Sequence, residues 1–494
     1  FYYRRMSDTE LPRPLSTADV GDWSDEVDVL VIGAGMGGTC AALEAARAGA
    51  RVLVLDRGGP GTCTTAMAGG HFYLGGGTAV QQATGHSDSA EEMAAYLRAV
   101  SPQASPEKIE LYCRDSVSHF DWIEGLGFQF ERSYYAPKAV VQPGTEGLMY
   151  TGSEKAHPFR DLARPAPRGH KPPFPGDTGG GGFVVDLALQ RLAELGVEVR
   201  YDTGVTTLVV SSEGAVVGAA WKRYSESGFV RASSVVIAAG GFVMNEEMIA
   251  AYAPRLQALV ARGMALGNSY DDGLGIRMGE SVGGVAEHME GAFFTSPFYP
   301  PGDALKGIVV NAEGRRFVNE DVYHSRSAAA LFEQPGSVGY LILDSATMVE
   351  PAYGFHPLVD GWDTVEEMEA ALGMPAGSLV QTMADYNKHA ADGADPAFHK
   401  AAEWVVPLSN GPWGAYDLTP GKAFYAGFTL CGLRVSVDGE VLSSSGAPIP
   451  GVYAAGACAS NIALDGSGYS SGTQLGEASY FGRRAGRHAA AHLR

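Results

Sequence analysis

Between Val27 and Arg57 the chain reads VDVLVIGAGMGGTCAALEAARAGARVLVLDR, and few folds accept such a run. Val27–Ile32 is continuously apolar, as a strand buried on both faces of a parallel sheet must be. Gly33, Gly35 and Gly38 follow as G-x-G-x-x-G, Thr39–Arg47 has a helical pattern, and Gly49 is placed to stop that helix. Arg51–Leu55 is a second strand, ending on Asp56 at about the ~20-residue interval expected of a ribose-binding carboxylate. Each residue type has a task. Gly33 permits the tight turn, Gly35 lets backbone approach a pyrophosphate at the helix N-terminus, and Gly38 lets helix and strand pack closely. Asp56 accepts from ribose hydroxyls. Strand, loop, helix, strand and acid in this order predict a dinucleotide site, without choosing between NAD and FAD.

The chain has 494 residues, too many for one ordinary domain, and two or three are expected. Its 66 glycines have no three-residue period and gather at turns, as suits an α/β protein. A formal net charge of -20 argues against nucleic acid and against an anionic membrane surface as partners. Cys40, Cys63, Cys113, Cys431 and Cys458 are odd in number and irregular in spacing, with no C-x-x-C. Neither a disulfide framework nor a zinc site is expected, and reduced thiols point to the cytoplasm. No apolar run approaches the ~18 residues of a membrane span. Phe1–Pro12 lacks the apolar core of a signal peptide, and Met6 is expected to be the natural start.

Other motifs narrow the choice. Residues 61–70 read GTCTTAMAGG, 234–242 SVVIAAGGF and 451–457 GVYAAGA; Asp272-Gly273-x-Gly275-Ile276 precedes the pair Gly283-Gly284; and 472–486 read GTQLGEASYFGRRAG. Spread in order over nearly the whole chain, these resemble the flavoproteins that include fumarate reductase, succinate dehydrogenase and the 3-ketosteroid dehydrogenases. The resemblance implies an α/β fold, with a discontinuous Rossmann-like FAD-binding domain and an inserted α+β capping domain. Residues 25–285 would form the first part of the FAD domain, with 101–182 as a long elaboration. Residues 286–425 would form the substrate-binding cap, holding helical stretches at Thr364–Leu372 and Leu379–His389, and 426–494 the return segment. Residues before about 25 read as a polar arm.

By the same resemblance FAD lies extended along the chain's motifs. Thr62, Cys63 and Thr64 would follow the pyrophosphate and flavin, and Ala68, Gly69 and Gly70 would face the isoalloxazine. Val205 would lie near the adenine, with Asp272 and Gly456 at the ribityl and phosphate region. Gly472, Gln474 and Leu475 would open a helix whose N–H groups face the flavin O2, where negative charge grows on reduction.

Fumarate-reducing members bind their dicarboxylate with arginines, whose planar forks suit carboxylates. Here the Arg316-Phe317-Val318-Asn319-Glu320 motif leads into Asp321-Val322-Tyr323-His324, with tyrosine and histidine where an arginine belongs. Gly468-Tyr469-Ser470-Ser471-Gly472 stands in place of an arginine-glycine-glycine stretch. A neutral ketone therefore fits better than a dicarboxylate. The Tyr-x-Ser spacing resembles the 3-ketosteroid Δ4-(5α)-dehydrogenases more than the Δ1 enzymes, whose Tyr-Pro-Gly-Pro-Gly is absent. The resemblance thus implies 4,5-dehydrogenation of a 3-keto-5α-steroid: a proton leaves C4, and a hydride passes from C5 to the flavin N5. Tyr469 would donate to the C3 oxygen, Ser471 would contact the C4 proton, and Tyr323 would relay that proton. The partners implied are a small-molecule 3-ketosteroid and an electron acceptor that the motifs leave unspecified. Phe293, Phe294, Phe298 and Tyr299 are expected either to wall an apolar pocket or to pack as ordinary core. A Δ1-dehydrogenase or an alkene reductase on the same scaffold stays open, as does a non-catalytic FAD-binding protein.

Relatives with covalently attached flavin use a histidine in the segment where this chain has Thr62-Cys63-Thr64, and His71 is displaced from it. The flavin is therefore expected to be non-covalent. Acid precipitation of the holoprotein should release all yellow colour into the supernatant; colour retained in the pellet would contradict this.

Overall fold

The computed structural model describes residues 11–260 and 263–493; the expected start at Met6 lies outside them. Its frame is an α/β sheet centred on Asp25–Ile32. Val52–Leu55 pairs with this strand in parallel on one side and Glu226–Ile237 on the other. Glu198–Arg200 extends the parallel array beyond the first and Pro448–Ala454 beyond the second. Leu30, Ile32, Leu53 and Leu55 point into one apolar core, and Val29, Val31, Val52 and Val54 into another. Successive side chains of a strand alternate faces, so the unbroken apolar run in the sequence feeds a core on each side of the sheet.

The fingerprint helix runs Met36–Arg47, one turn earlier than the helical pattern alone indicates, and Gly49 follows its end at φ 89°. Glu226–Ile237 begins as an antiparallel hairpin with Val216–Arg223, which pairs with Gly204–Val210. The arm before residue 25 is not wholly unstructured: Leu15–Ser16 adds a parallel strand to Gly204–Val210.

The return segment contributes Pro448–Ala454 and the long helix Thr473–Ala491. This helix lies directly on the fingerprint helix. A Cβ at Gly482 would sit 2.4 Å from the Gly37 carbonyl oxygen, and one at Gly486 2.0 Å from that of Ala41. Only glycine permits such an approach.

Ile308–Asn311, Gly339–Asp344, Trp413–Asp417 and Leu358–Trp362 form a separate antiparallel sheet. Helices Val365–Ala371 and Ser378–Ala390 pack on it through Met368, Leu379 and Met383 against Val310 and Ile342. Thr364 caps the first of these helices in a reciprocal box with Glu367. This is the inserted α+β unit. It joins the FAD frame through a small sheet of Met264–Ala265, Ala426–Thr429 and Ala292–Thr295, whose strands straddle residues 285 and 425. Among the described residues no helix is long and apolar enough to cross a membrane.

Arg316 and Glu320 of the "RFVNE" motif serve the fold. The Arg316 guanidinium meets Glu320 at 2.7 Å and Asp395 at 2.8 Å, and Lys400 lies 3.3 Å from Glu320, all nearly solvent-free. Burial alone would raise both carboxyls, yet Arg316 and Lys400 hold Glu320 and Asp395 below the ordinary carboxylate range. Such depressed groups add stability above their unfolded pKa values, and the gain is lost as pH falls through the folded values. Arg316→Met leaves Asp395 without its guanidinium partner and Glu320 with Lys400 alone, and should cost about 3–5 kcal/mol. In urea titrations the gap between parent and variant should be widest near neutral pH and narrow on acidification below ~4. An unchanged midpoint at pH 7 would show that the network does not hold the cap.

Candidate active site

A cavity of about 850 Å³ opens where the ends of the central strands meet the N-termini of Met36–Arg47 and Thr473–Ala491. Open α/β sheets place ligands at this edge, in sites of ~300–1,000 Å³.

Gly33, Gly35, Met36, Asp56 and Val205 line the first end. Gly35 caps the fingerprint helix without a side-chain acceptor; the Met36 N–H is taken by Thr65 Oγ1, and Gly37, which follows it in the first turn, lines the cavity where leading N–H groups can meet a ligand. The Asp56 carboxylate accepts from the backbone N–H of Ala34 (2.6 Å) and Gly58 (2.7 Å). It has lone pairs to spare for hydroxyls. Gly38 does not reach the cavity. A Cβ there would stand 1.9 Å from the Gly33 carbonyl oxygen, so its place is in helix–strand packing.

Cys63, Thr64, Ala68, Gly69, Gly70, Asp272 and Gly456 line the middle. Thr64 donates to Asp271 (2.5 Å) and accepts from the Asn268 N–H (3.0 Å). Asp272 accepts from the Leu274 N–H (3.0 Å) and from Arg57 (2.8 Å). Asp271, not singled out from the sequence although it adjoins Asp272, also lines the wall, and burial pushes its carboxyl up to about 6. Thr62 is not brought to this cavity. It is exposed, and its hydroxyl donates to the Gly59 carbonyl at 2.7 Å. Thr65 faces the cavity instead, accepting from the Met36 N–H at 3.2 Å. His71 lies on the wall with its Nε2 2.5 Å from Gln142 Oε1, and burial holds its imidazole down at about 4.

Gly472, Gln474 and Leu475 bring the second helix N-terminus to the far end, beside Tyr469, Ser471 and Tyr323. Tyr469 packs between Phe293 and Phe428, at ring distances of 4.8 and 5.7 Å. Tyr323 immediately precedes the cap helix His324–Phe332, and its hydroxyl lies 2.6 Å from Ser471 Oγ. Burial raises both phenols well above their ordinary range, so they stand as neutral donors. Of the four aromatics expected as pocket wall or core, Phe293 alone lines the cavity. Phe294, Phe298 and Tyr299 belong to the core below.

His324 also lines this end. Its Nδ1 lies 2.5 Å from Thr295 Oγ1, and burial depresses its imidazole to about 3, so it is uncharged. Tyr353 and Phe355 add aromatic surface from a cap loop that carries no motif. Among the described residues Arg57, paired with Asp272, is the only arginine or lysine on the wall. Arg326, two positions after His324, is turned away, donating to the Ser467 carbonyl at 3.0 Å with its guanidinium 4.7 Å from the Phe159 ring centre.

Two converging helix N-termini, a carboxylate for ribose and an elongated cavity fit an extended FAD. Residues 28–476 match the family described as FAD binding domain. A solved 3-ketosteroid-Δ4-(5α)-dehydrogenase from Rhodococcus jostii, in complex with 4-androstene-3,17-dione, is 42% identical. It superposes with a TM-score of 0.90, covering 97% of this chain and 99% of that one. The 3-oxo-5-alpha-steroid 4-dehydrogenase of Comamonas testosteroni is 27% identical over 90% of this chain and 94% of that protein. A probable fumarate reductase of Shewanella frigidimarina is also 27% identical, over 95% of this chain and 76% of that protein. By a match over most of its length, the chain belongs to the FAD binding domain family, the flavoproteins of the fumarate reductase and 3-ketosteroid dehydrogenase group, and its cofactor is FAD.

Proposed function

We propose that this protein is a flavin-dependent 3-ketosteroid dehydrogenase that introduces the 4,5 double bond into 3-keto-5α-steroids. The observation that carries the proposal is the Tyr323–Ser471 hydrogen bond of 2.6 Å, set beside Tyr469 in an aromatic pocket end that has no cationic side chain among the described residues. An apolar, uncharged pocket selects a neutral ring system over a dicarboxylate. The 42% identity and near-complete overlap with a Δ4-(5α)-dehydrogenase support the same substrate class.

In this proposal Tyr469 donates to the C3 carbonyl and stabilises the enolate that develops as C4 loses its proton. Ser471 takes that proton. A serine hydroxyl is a poor base by itself, so it hands its own proton to Tyr323 as it accepts the new one, and the neutral Tyr323 phenol releases its phenolic proton in turn to water. FAD, when bound, supplies the acceptor for the C5 hydride. Residues 286–425 act as the cap that brings Tyr323 over the substrate, between FAD-domain parts 25–285 and 426–494. The five free cysteines suit a cytoplasmic setting.

The direct test is anaerobic mixing with a 5α-3-ketosteroid. The flavin absorbance should bleach and a 4-ene should form, while fumarate and succinate leave the flavin unchanged. A 1-ene as sole product would move the chain to the Δ1 reaction, and photoreducible flavin with no steroid response would mark a non-catalytic flavoprotein.

Tyr469→Phe should slow single-turnover flavin reduction by ~100-fold, or roughly 3 kcal/mol, with flavin content unchanged. Ser471→Ala should lose at least ~100-fold, and Tyr323→Phe as much unless water replaces its hydroxyl. If Tyr469→Phe and Ser471→Ala both reduce at the parent rate with full flavin, the catalytic groups lie elsewhere.

A further inference from the structure

Thr151, Gly152 and Ser153 lie in the elaboration 101–182, are buried, and do not line the cavity. They nevertheless touch both segments that carry the proposed catalytic hydroxyls. Thr151 forms a reciprocal pair with Ser471: the Ser471 N–H donates to the Thr151 carbonyl (2.9 Å), and Thr151 Oγ1 donates to the Ser471 carbonyl (2.8 Å). Ser153 Oγ accepts from the Tyr323 N–H (2.9 Å), and the Ser153 N–H donates to the Tyr96 hydroxyl (2.8 Å). That hydroxyl in turn lies 3.1 Å from Ser470 Oγ. Between them Gly152 leaves no room, since a Cβ there would stand 2.2 Å from Ser470 Oγ and 2.5 Å from the Tyr96 oxygen.

Ser471 belongs to the return segment and Tyr323 to the cap, 148 residues apart, and their side chains meet at 2.6 Å. A bond between two loops from different parts of the chain needs a common reference, or small shifts of either would lengthen it. We infer that Thr151 and Ser153 are positioning residues that set the register of Ser471 against Tyr323, and so govern proton removal from the substrate. This rests on the function proposed above. It adds that proton-transfer geometry is fixed by a third segment that does not line the cavity.

The test uses the FAD-loaded protein and a 5α-3-ketosteroid, either unlabelled or dideuterated at C4. Thr151→Val keeps the side-chain shape and removes the donor; Ser153→Ala removes the acceptor of the Tyr323 N–H. Each should slow limiting flavin reduction by about ten- to a hundred-fold, as expected of sub-ångström misplacement of reacting groups. The substrate concentration at half-saturation and the flavin content should stay near the parent's. The C4 deuterium isotope effect should rise, because proton removal becomes more limiting, and Thr151→Ser should restore both rate and isotope effect. A slower rate with the parent isotope effect, or one tracking loss of flavin, overturns the inference in favour of a purely structural role. Parent-like rates in both variants overturn it as well. If the parent itself is not reduced by any 3-ketosteroid, it is the proposed function that fails, and the positioning role falls with it.

Discussion

The structure depends on the absence of two side chains. The helix Thr473–Ala491 can lie on Met36–Arg47 only because Gly482 and Gly486 present bare backbone to Gly37 and Ala41. That contact fixes where the return segment sits. It places the N-terminus of one helix at the end of the cavity lined by Gly33 and Asp56 and that of the other at the end lined by Tyr323, Tyr469 and Ser471. Leading N–H groups and aligned peptide dipoles make both ends electropositive through the backbone itself. A cofactor with anionic phosphates and a ring that gains charge on reduction is therefore met by backbone at both places.

Electrostatics divides the molecule along the same line. Several charges removed from water are paired with opposite charges, such as Arg316 with Glu320 and Asp395, or Arg168 with Asp88 at 2.8 Å. The end of the cavity proposed to be catalytic instead has phenols, hydroxyls and neutral imidazole. Arg326, in the cap helix that follows Tyr323, is spent on a loop carbonyl and an aromatic face. Among the described residues the wall thus keeps donors suited to a carbonyl oxygen and lacks the paired cations a dicarboxylate requires.

The frame was legible because its signals are local. Apolar runs, glycine spacing and the acid after the second strand are dictated by backbone geometry within one βαβ unit, and the capping box at Thr364 and Glu367 lies within one helical turn. That Tyr323, Tyr469 and Ser471 would meet at one place was legible through motifs that flank them. Other features were not, for reasons of distance. Thr62 looks like its neighbours Cys63 and Thr64, and its rotation towards the Gly59 carbonyl shows only in three dimensions. The strut Thr151–Ser153 has no periodicity of its own and takes its meaning from Tyr96, Tyr323 and Ser470, all distant in sequence. Phe294, Phe298 and Tyr299 share composition with Phe293, and only packing separates core from wall.

The parallel strand Pro448–Ala454 and the helix after it complete a sheet and a cavity begun by residues 25–56. During synthesis these two sets leave the ribosome far apart in time. A nascent chain that stops short of residue 448 has its ribose acid and its first helix N-terminus, but lacks the second helix, Tyr469 and Ser471. Such a chain cannot enclose the cofactor. Enclosure of the flavin therefore requires a polypeptide made through the helix Thr473–Ala491. The bound cofactor then stabilises the finished fold by mass action, with no comparable hold on incomplete chains.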